Sequence, residues 1–118
     1  MPEVNRREVA AEPEDLGRLF LERASAGDVA GVAALYEPAA VLASPAGGLA
    51  IGVAAIRQVY EGLLAGRPQF RGDVRPALRH GDLALTSTRF QGGATAEIAR
   101  RQADGTWLWI ADQPNVVG

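Results

Sequence analysis

Three turn signals, Gly81-Asp82, Gly92-Gly93 and Asp104-Gly105, punctuate the second half of this 118-residue chain. Each separates two short β-prone runs, and a two-residue glycine-containing turn between such runs favours antiparallel strands joined as hairpins. The runs 70–80, 83–91, 94–102 and 106–112 are therefore expected to form a meander. Pro76 makes the first of them an edge or bulged strand, because proline has no N–H for a ladder. Taking Asp104 and Gly105 as the two loop residues pairs Arg101 with Leu108, Ala99 with Ile110, and Glu97 with Asp112. Side chains alternate faces along a strand. Glu97, Ala99, Ile110 and Asp112 are thus expected on one side, where two opposed carboxylates repel unless one keeps its proton.

Treating Gly92-Gly93 as a turn pairs Gln91 with Ala94 and Thr88 with Glu97. The acidic face then also carries Thr86, Thr88, Phe90, Thr95 and Leu108. The opposite face carries Ile98, Trp107 and Trp109, whose aromatic surface calls for a partner chain. A one-residue slip would reverse all of these assignments.

Helical patterns occupy the first half. Pro13 suits a helix start, with Glu14 and Asp15 at its positive end, and Leu16, Leu19, Phe20 and Ala24 follow at helical spacing. Gly27 ends that helix and Asp28 caps a second, with Val29, Val32, Ala33 and Tyr36 on one face and Pro38 as its stop. Two extended pieces, 41–44 and 49–51, flank Pro45-Ala46-Gly47-Gly48. A third helix, 53–64, is expected to turn Val53, Ile56, Val59, Tyr60 and Leu63 inward. Helices first and sheet second give an α+β class. Residues 1–12 are expected as a flexible tail ahead of one domain, 13–118.

Composition narrows the function. A net charge of −2, with twelve scattered arginines, leaves no footprint for nucleic acid. No apolar run is long enough for a membrane helix or the core of a signal peptide, so a cytoplasmic location is expected. The chain lacks cysteine and has one histidine, His80, beside a turn, so neither thiol chemistry nor a metal site is expected.

The run Ala26-Gly27-Asp28 between helices, then Leu35-Tyr36, then Ala55-Ile56-Arg57-Gln58-Val59-Tyr60, then Asp104-Gly105-Thr106-Trp107 resembles the nuclear-transport-factor-2-like (NTF2-like) superfamily, in its SnoaL-like and DUF4440 branch. The resemblance covers about residues 14–114. It implies a cystatin-like/NTF2-like cone of three helices on a curved antiparallel sheet, an interior pocket, and homodimers formed through the sheet. Relatives include ketosteroid isomerase and polyketide cyclases. In ketosteroid isomerase a Tyr and a protonated Asp donate to the substrate oxygen while a second Asp is the base. Matching positions here are Phe20 for the Tyr, Glu97 for the protonated Asp and Ser44 for the base, so that mechanism does not carry over. SnoaL-like cyclases place an acid–base Asp where Asp112 stands.

The expected function is a cofactor-free isomerase or cyclase acting on a small apolar carbonyl or polyketide-like ligand. Asp112 and Glu97 would be catalytic, Thr88 would orient Glu97, and Phe20, Tyr60, Ser44, Ile110 and Tyr36 would contact substrate. A non-catalytic ligand-binding or dimerisation module of the same fold is the alternative. Water addition, with Arg75 or another arginine inside the cone neutralising the carboxylates, is a third.

Overall fold

The computed structural model describes residues 7–116. Helix α1 (Glu14–Ser25) buries Leu16, Leu19 and Ala24 and carries acidic side chains in its first turn, as its pattern requires. Gly27, at φ +71°, makes the left-handed turn out of α1. The Asp28 side chain then accepts from the Gly31 N–H at 2.9 Å, capping α2 (Val29–Ala33).

Helix α2 is shorter than its apolar face suggested. Tyr36 starts strand β1 (Tyr36–Ala43) instead of completing the helix, and Pro38 lies inside that strand. The chain leaves the helix early because Leu35 O and Tyr36 are recruited by a distant partner. Trp109 N–H donates to Leu35 O at 2.8 Å, and β1 pairs in parallel with β9 (Trp107–Gln113). Nothing within residues 29–43 signals that pairing.

The hairpin to β2 (Leu49–Ile51) and helix α3 (Val53–Leu64) follow the expected bounds. Ile56, Tyr60 and Leu64 are the buried α3 residues, whereas Leu63 is partly open. The expected long strands of the second half are broken into β3 (Asp73–Val74), β4 (Leu78–His80), β5 (Leu83–Thr86), β6 (Thr88–Phe90), β7 (Gly93–Ala94) and β8 (Ala96–Arg101). Pro76 interrupts the first, as a missing ladder donor dictates. A six-stranded sheet runs β2-β1-β9-β8-β5-β4, and a three-stranded one runs β3-β6-β7. Helices packed on this curved, mainly antiparallel surface confirm the α+β class. Among the described residues no helix is long and apolar enough to cross a membrane.

Two registers differ from expectation, with opposite consequences. Phe90 pairs with Gly93, so the turn is Gln91-Gly92, and Thr86 rather than Thr88 lies across from Glu97. A slip of two residues preserves parity, so Thr86, Thr88 and Phe90 keep the predicted face. At the last turn the slip is one residue. Gln102 N–H donates to Thr106 O at 2.7 Å, closing a three-residue loop with Gly105 at φ +86°. Arg101 therefore pairs with Trp107, and Ala99 with Trp109.

That single step turns both tryptophans inward. Trp107 and Trp109 are 1% and 2% exposed and belong to the core, so the expectation that they form an outer dimer seam is wrong. Ile110 is then left unpaired as a bulge, and the ladder resumes with Ile98 opposite Ala111 and Glu97 opposite Asp112. The expected acidic pair is thus recovered through two compensating irregularities. Leu108 and Ile110 lose the inward face they were assigned.

Residues 7–12 are fastened to the domain where a tail was expected. Ala10 is buried, its carbonyl accepts from Trp107 N–H at 2.9 Å, and Arg79 stacks over the Trp107 ring at 5.0 Å. Residues 1–6 lie outside the described residues.

Candidate active site

A cavity of about 410 Å³ lies between α1, α3 and the inner sheet face. Phe20 of α1 is the hub of its hydrocarbon wall. Its ring meets Tyr60 at 5.8 Å, Phe70 at 5.6 Å and Trp109 at 6.2 Å, all lining residues. Edge-on contacts of this kind add to the burial of the rings themselves. Leu21, Leu42 and Leu63 extend the apolar surface.

Into this wall project Glu97 and Asp112, 4% and 8% exposed. Each is served by its own chain of hydrogen bonds. The Trp109 indole N–H donates to Thr86 Oγ1 at 3.0 Å, and the Thr86 hydroxyl donates to Glu97 Oε1 at 2.7 Å. Because an indole nitrogen only donates, the hydroxyl proton of Thr86 is committed to Glu97. On the other side the Tyr36 hydroxyl donates to Asp112 Oδ2 at 2.5 Å and lies 2.9 Å from the Tyr60 hydroxyl. With the Tyr36 proton directed at Asp112, Tyr60 must supply the proton between the two phenols. Among the described residues nothing donates to the buried Oδ1 of Asp112.

Burial sets the electrostatics. Desolvation, reinforced by the Asp112 charge, pushes the Glu97 carboxyl up to about 7, against the pull of the Thr95 and Thr86 hydroxyls. Desolvation likewise pushes Asp112 up to about 6, and the Tyr36 hydrogen bond restrains it. Burial first, then the Asp112 charge, also holds the Tyr36 and Tyr60 hydroxyls well above the ordinary phenol range. Both phenols therefore act as donors, while the carboxyls are the groups that exchange protons near neutrality.

The expected site residues divide accordingly. Glu97, Asp112, Phe20, Tyr60 and Thr88 all line the cavity. Tyr36 stands behind Asp112 rather than on the surface, being 3% exposed and bonded to it. Thr88 is not the partner of Glu97; the two-residue register shift gives that place to Thr86. Ser44 is turned into the β1–β2 loop, where its hydroxyl accepts from Ala46 N–H, and Pro45 takes its place on the wall. Ile110 is displaced by the bulge. Arg75 pairs with Asp73 at 2.8 Å among exposed side chains and neutralises neither carboxyl. Ile98 remains on the outer face, 41% exposed.

Thr86, which supports Glu97 from behind the lining, and the wall residues Trp109 and Phe70 escaped the sequence reading. Thr86 was on the right face and needed only the shifted turn. Trp109 and Phe70 carried no local signal, because the inward turn of one and the fold-back of the other are tertiary outcomes. Among the described residues no three His, Cys, Asp or Glu side chains gather to hold a metal ion.

A family model described as a SnoaL-like domain matches residues 18–113. Solved structures with similar folds include a candidate calcium/calmodulin-dependent protein kinase type II association domain from Thiobacillus denitrificans. It is 19% identical, with TM-score 0.71 over 92% of this chain and 98% of that one. A ketosteroid isomerase-like protein from Erwinia carotovora atroseptica is 19% identical, with TM-score 0.68 over 85% and 89% of the two chains. A candidate dehydratase of the NTF2-like family from Streptomyces avermitilis is 15% identical, with TM-score 0.64 over 83% and 88%. No curated protein matches the chain. At such identities the structural likeness concerns the fold alone, which hosts many chemistries.

Proposed function

This chain belongs to the SnoaL-like domain family, and from that premise we propose that its cavity is a cofactor-free acid–base site for a small, largely apolar carbonyl compound. The carrying observation is the buried Glu97–Asp112 pair on a hydrocarbon wall, with one carboxylate oxygen unengaged; burial raises the proton affinity of both acids. Burial of both acids, and the charge of Asp112 on Glu97, favour a pair that shares one proton near neutrality, with Glu97 keeping it. The Asp112 carboxylate then takes a proton from the carbon next to the carbonyl. Glu97, with Oε1 occupied by Thr86, presents its own proton to the carbonyl oxygen, where negative charge develops. In a β,γ-unsaturated carbonyl, giving the Asp112 proton to the γ-carbon while the dienol O–H returns its proton to Glu97 isomerises the substrate; alternatively the enol carbon attacks a second carbonyl, whose oxygen takes the Asp112 proton as the enol O–H returns its own to Glu97, and a ring closes. Neither outcome consumes an oxidant or reductant.

Enolisation is testable without the natural substrate. The α-protons of 2-tetralone in heavy water should exchange faster with the protein than with acetate at equal carboxyl concentration. Asp112→Asn should cut the excess by about a hundredfold, the lower edge of general-base contributions. Exchange no faster with the wild type than with Asp112→Asn would overturn the enzymatic reading.

A ligand-binding module without turnover is the second reading. It is favoured by Phe20 and by the outward Ser44, which leave α1 and the β1–β2 loop without the donor and base of the steroid-isomerase pattern. A carbonyl ligand that shifts the Glu97 resonances while showing no exchange would establish it.

The proposal includes a homodimer. Leu78, Leu85 and Ile98 form a continuous apolar rung across β4, β5 and β8, and all three are exposed. A second copy laid on this rung about a two-fold axis would cover it with the same surface. Leu85→Arg should convert a dimer in analytical ultracentrifugation to a monomer; a wild-type monomer at micromolar concentration would refute the assembly.

A further inference from the structure

We infer that Arg71 is a specificity residue at the cavity wall, and that the ligand is amphiphilic, with a carboxylate that meets this guanidinium while its apolar body lies against Phe20 and Phe70. The inference rests on the cavity being a ligand site, as proposed above, but not on turnover.

Three observations carry it. First, the cavity lining contains one cation, Arg71, beside Glu97 and Asp112. Second, that cation is unpaired among the described residues. Most other arginines of the described chain are engaged, such as Arg18 with Glu8, Arg75 with Asp73, Arg79 with Glu12 and Arg100 with Glu37. Among the described residues the Arg71 guanidinium has no ion pair or hydrogen bond. It is not the counter-ion of the buried acids either. The influences on Glu97 and Asp112 are burial, hydroxyl groups and, for Glu97, the charge of Asp112; no arginine is among them.

Third, the backbone that carries Arg71 is held on both sides. Phe70 N–H donates to Ser25 Oγ at 2.8 Å, and the Ser25 hydroxyl lies 3.2 Å from Phe70 O. On the other side Gly72 presses so close to β6 that a Cβ there would stand 2.6 Å from Thr88 Cγ2 and 3.2 Å from Arg89 O. The guanidinium is therefore displayed from a fixed point beside the Phe20–Phe70 wall. Its exposure places it toward the open side, while the acids are buried.

The chemistry orders the ligand. A carboxylate near the Glu97–Asp112 pair would meet a like charge, whereas a neutral carbonyl would not. A planar guanidinium grips a carboxylate in a bidentate fork. An anionic ligand is thus oriented with its charge at Arg71 and its neutral reacting group at the acids.

Titration of the isotopically labelled protein, followed by NMR at the Trp109 indole N–H, tests this with naphthalene-2-acetate and the neutral 2-(naphthalen-2-yl)ethanol. At low ionic strength the wild type should bind the acid about fivefold more tightly, a size fitting a partly exposed charge pair. Arg71→Gln should equalise the two probes by weakening only the acid, and Arg71→Glu should invert their order. Equal binding of both probes by the wild type, or a preference that survives Arg71→Gln, would overturn the assignment and leave the acid–base reading standing. Binding of neither probe would remove the ligand cavity and this inference together.

Discussion

Two carboxylates on the two faces of one sheet show what environment does to a single functional group. Glu97 points inward from β8, opposite Asp112 and shut away from water. Glu37 of β1 is paired on the outer side with Arg100, the β8 residue three places beyond Glu97, through two hydrogen bonds of 2.9 Å. The Arg100 hydrogen bonds hold the Glu37 carboxyl below its usual range, while burial and then Asp112 push Glu97 to about 7. Strand alternation alone decides which acid meets a cation in water and which meets another acid in hydrocarbon. The outer pair is a surface fixture. The inner pair is poised to move protons.

The contrast can be broken most severely from the inner side. Trp109→Ala removes a buried ring and the donor that orients Thr86, and should cost about 3–5 kcal/mol in urea unfolding. Ile51→Ala, at an exposed β2 position outside the proposed dimer rung, should stay within about 1 kcal/mol. Similar losses at both positions would mean that the inner face is not the core.

The next effect is on pH dependence. Glu97 and Asp112 bind protons more tightly folded than unfolded, where ordinary values near 4 apply. Their contribution to stability is therefore complete below about pH 4 and is lost as pH rises through 6 and 7. Glu37 has the opposite sign, favouring the fold above its ordinary value and losing that contribution as pH falls. Glu97→Gln should accordingly gain about 1–3 kcal/mol over the wild type at pH 8 and lose that advantage by pH 4. A pH-independent difference would contradict the buried acid.

Tyr36→Phe sharpens the comparison within the inner pair. Without its hydrogen bond, Asp112 should titrate above 6 in carbon-detected NMR, with a stability loss of about 1–2 kcal/mol. An unmoved Asp112 would show that Tyr36 does not restrain it. The smallest effect belongs to the outer pair. Arg100→Gln should return Glu37 toward ordinary carboxyl behaviour with little change in stability, and added salt should erase even that.

Much of this could be read before any coordinates. Gly27-Asp28 marked a helix boundary because one residue supplies a positive φ and the other a cap, both local requirements. Helix 53–64 was visible because its apolar spacing and the Gly52 entry agree. The Glu97–Asp112 pairing was also reached, although the simple count behind it contained two irregularities that cancel. A three-residue loop at Ala103-Asp104-Gly105 advanced the strands by one, and the bulge at Ile110 took the step back. Trp107, Leu108 and Trp109 lie between those two points, so they, with the bulged Ile110, display the error. Thr86 was misplaced by two residues but stayed on its face, since an even slip is invisible to alternation.

By itself the sequence determined the three helices, the neighbourhoods of the turns and the shared face on which Glu97 and Asp112 meet, because glycine conformations, caps and side-chain periodicity act over a few residues. Tertiary structure decided the parallel pairing of β1 with β9, the bulge, the inward tryptophans and the Tyr36 bond to Asp112. Those depend on partners as many as 76 positions apart. A strand's choice between helix and sheet, or between faces, follows whatever distant surface most completely buries its side chains and satisfies its backbone.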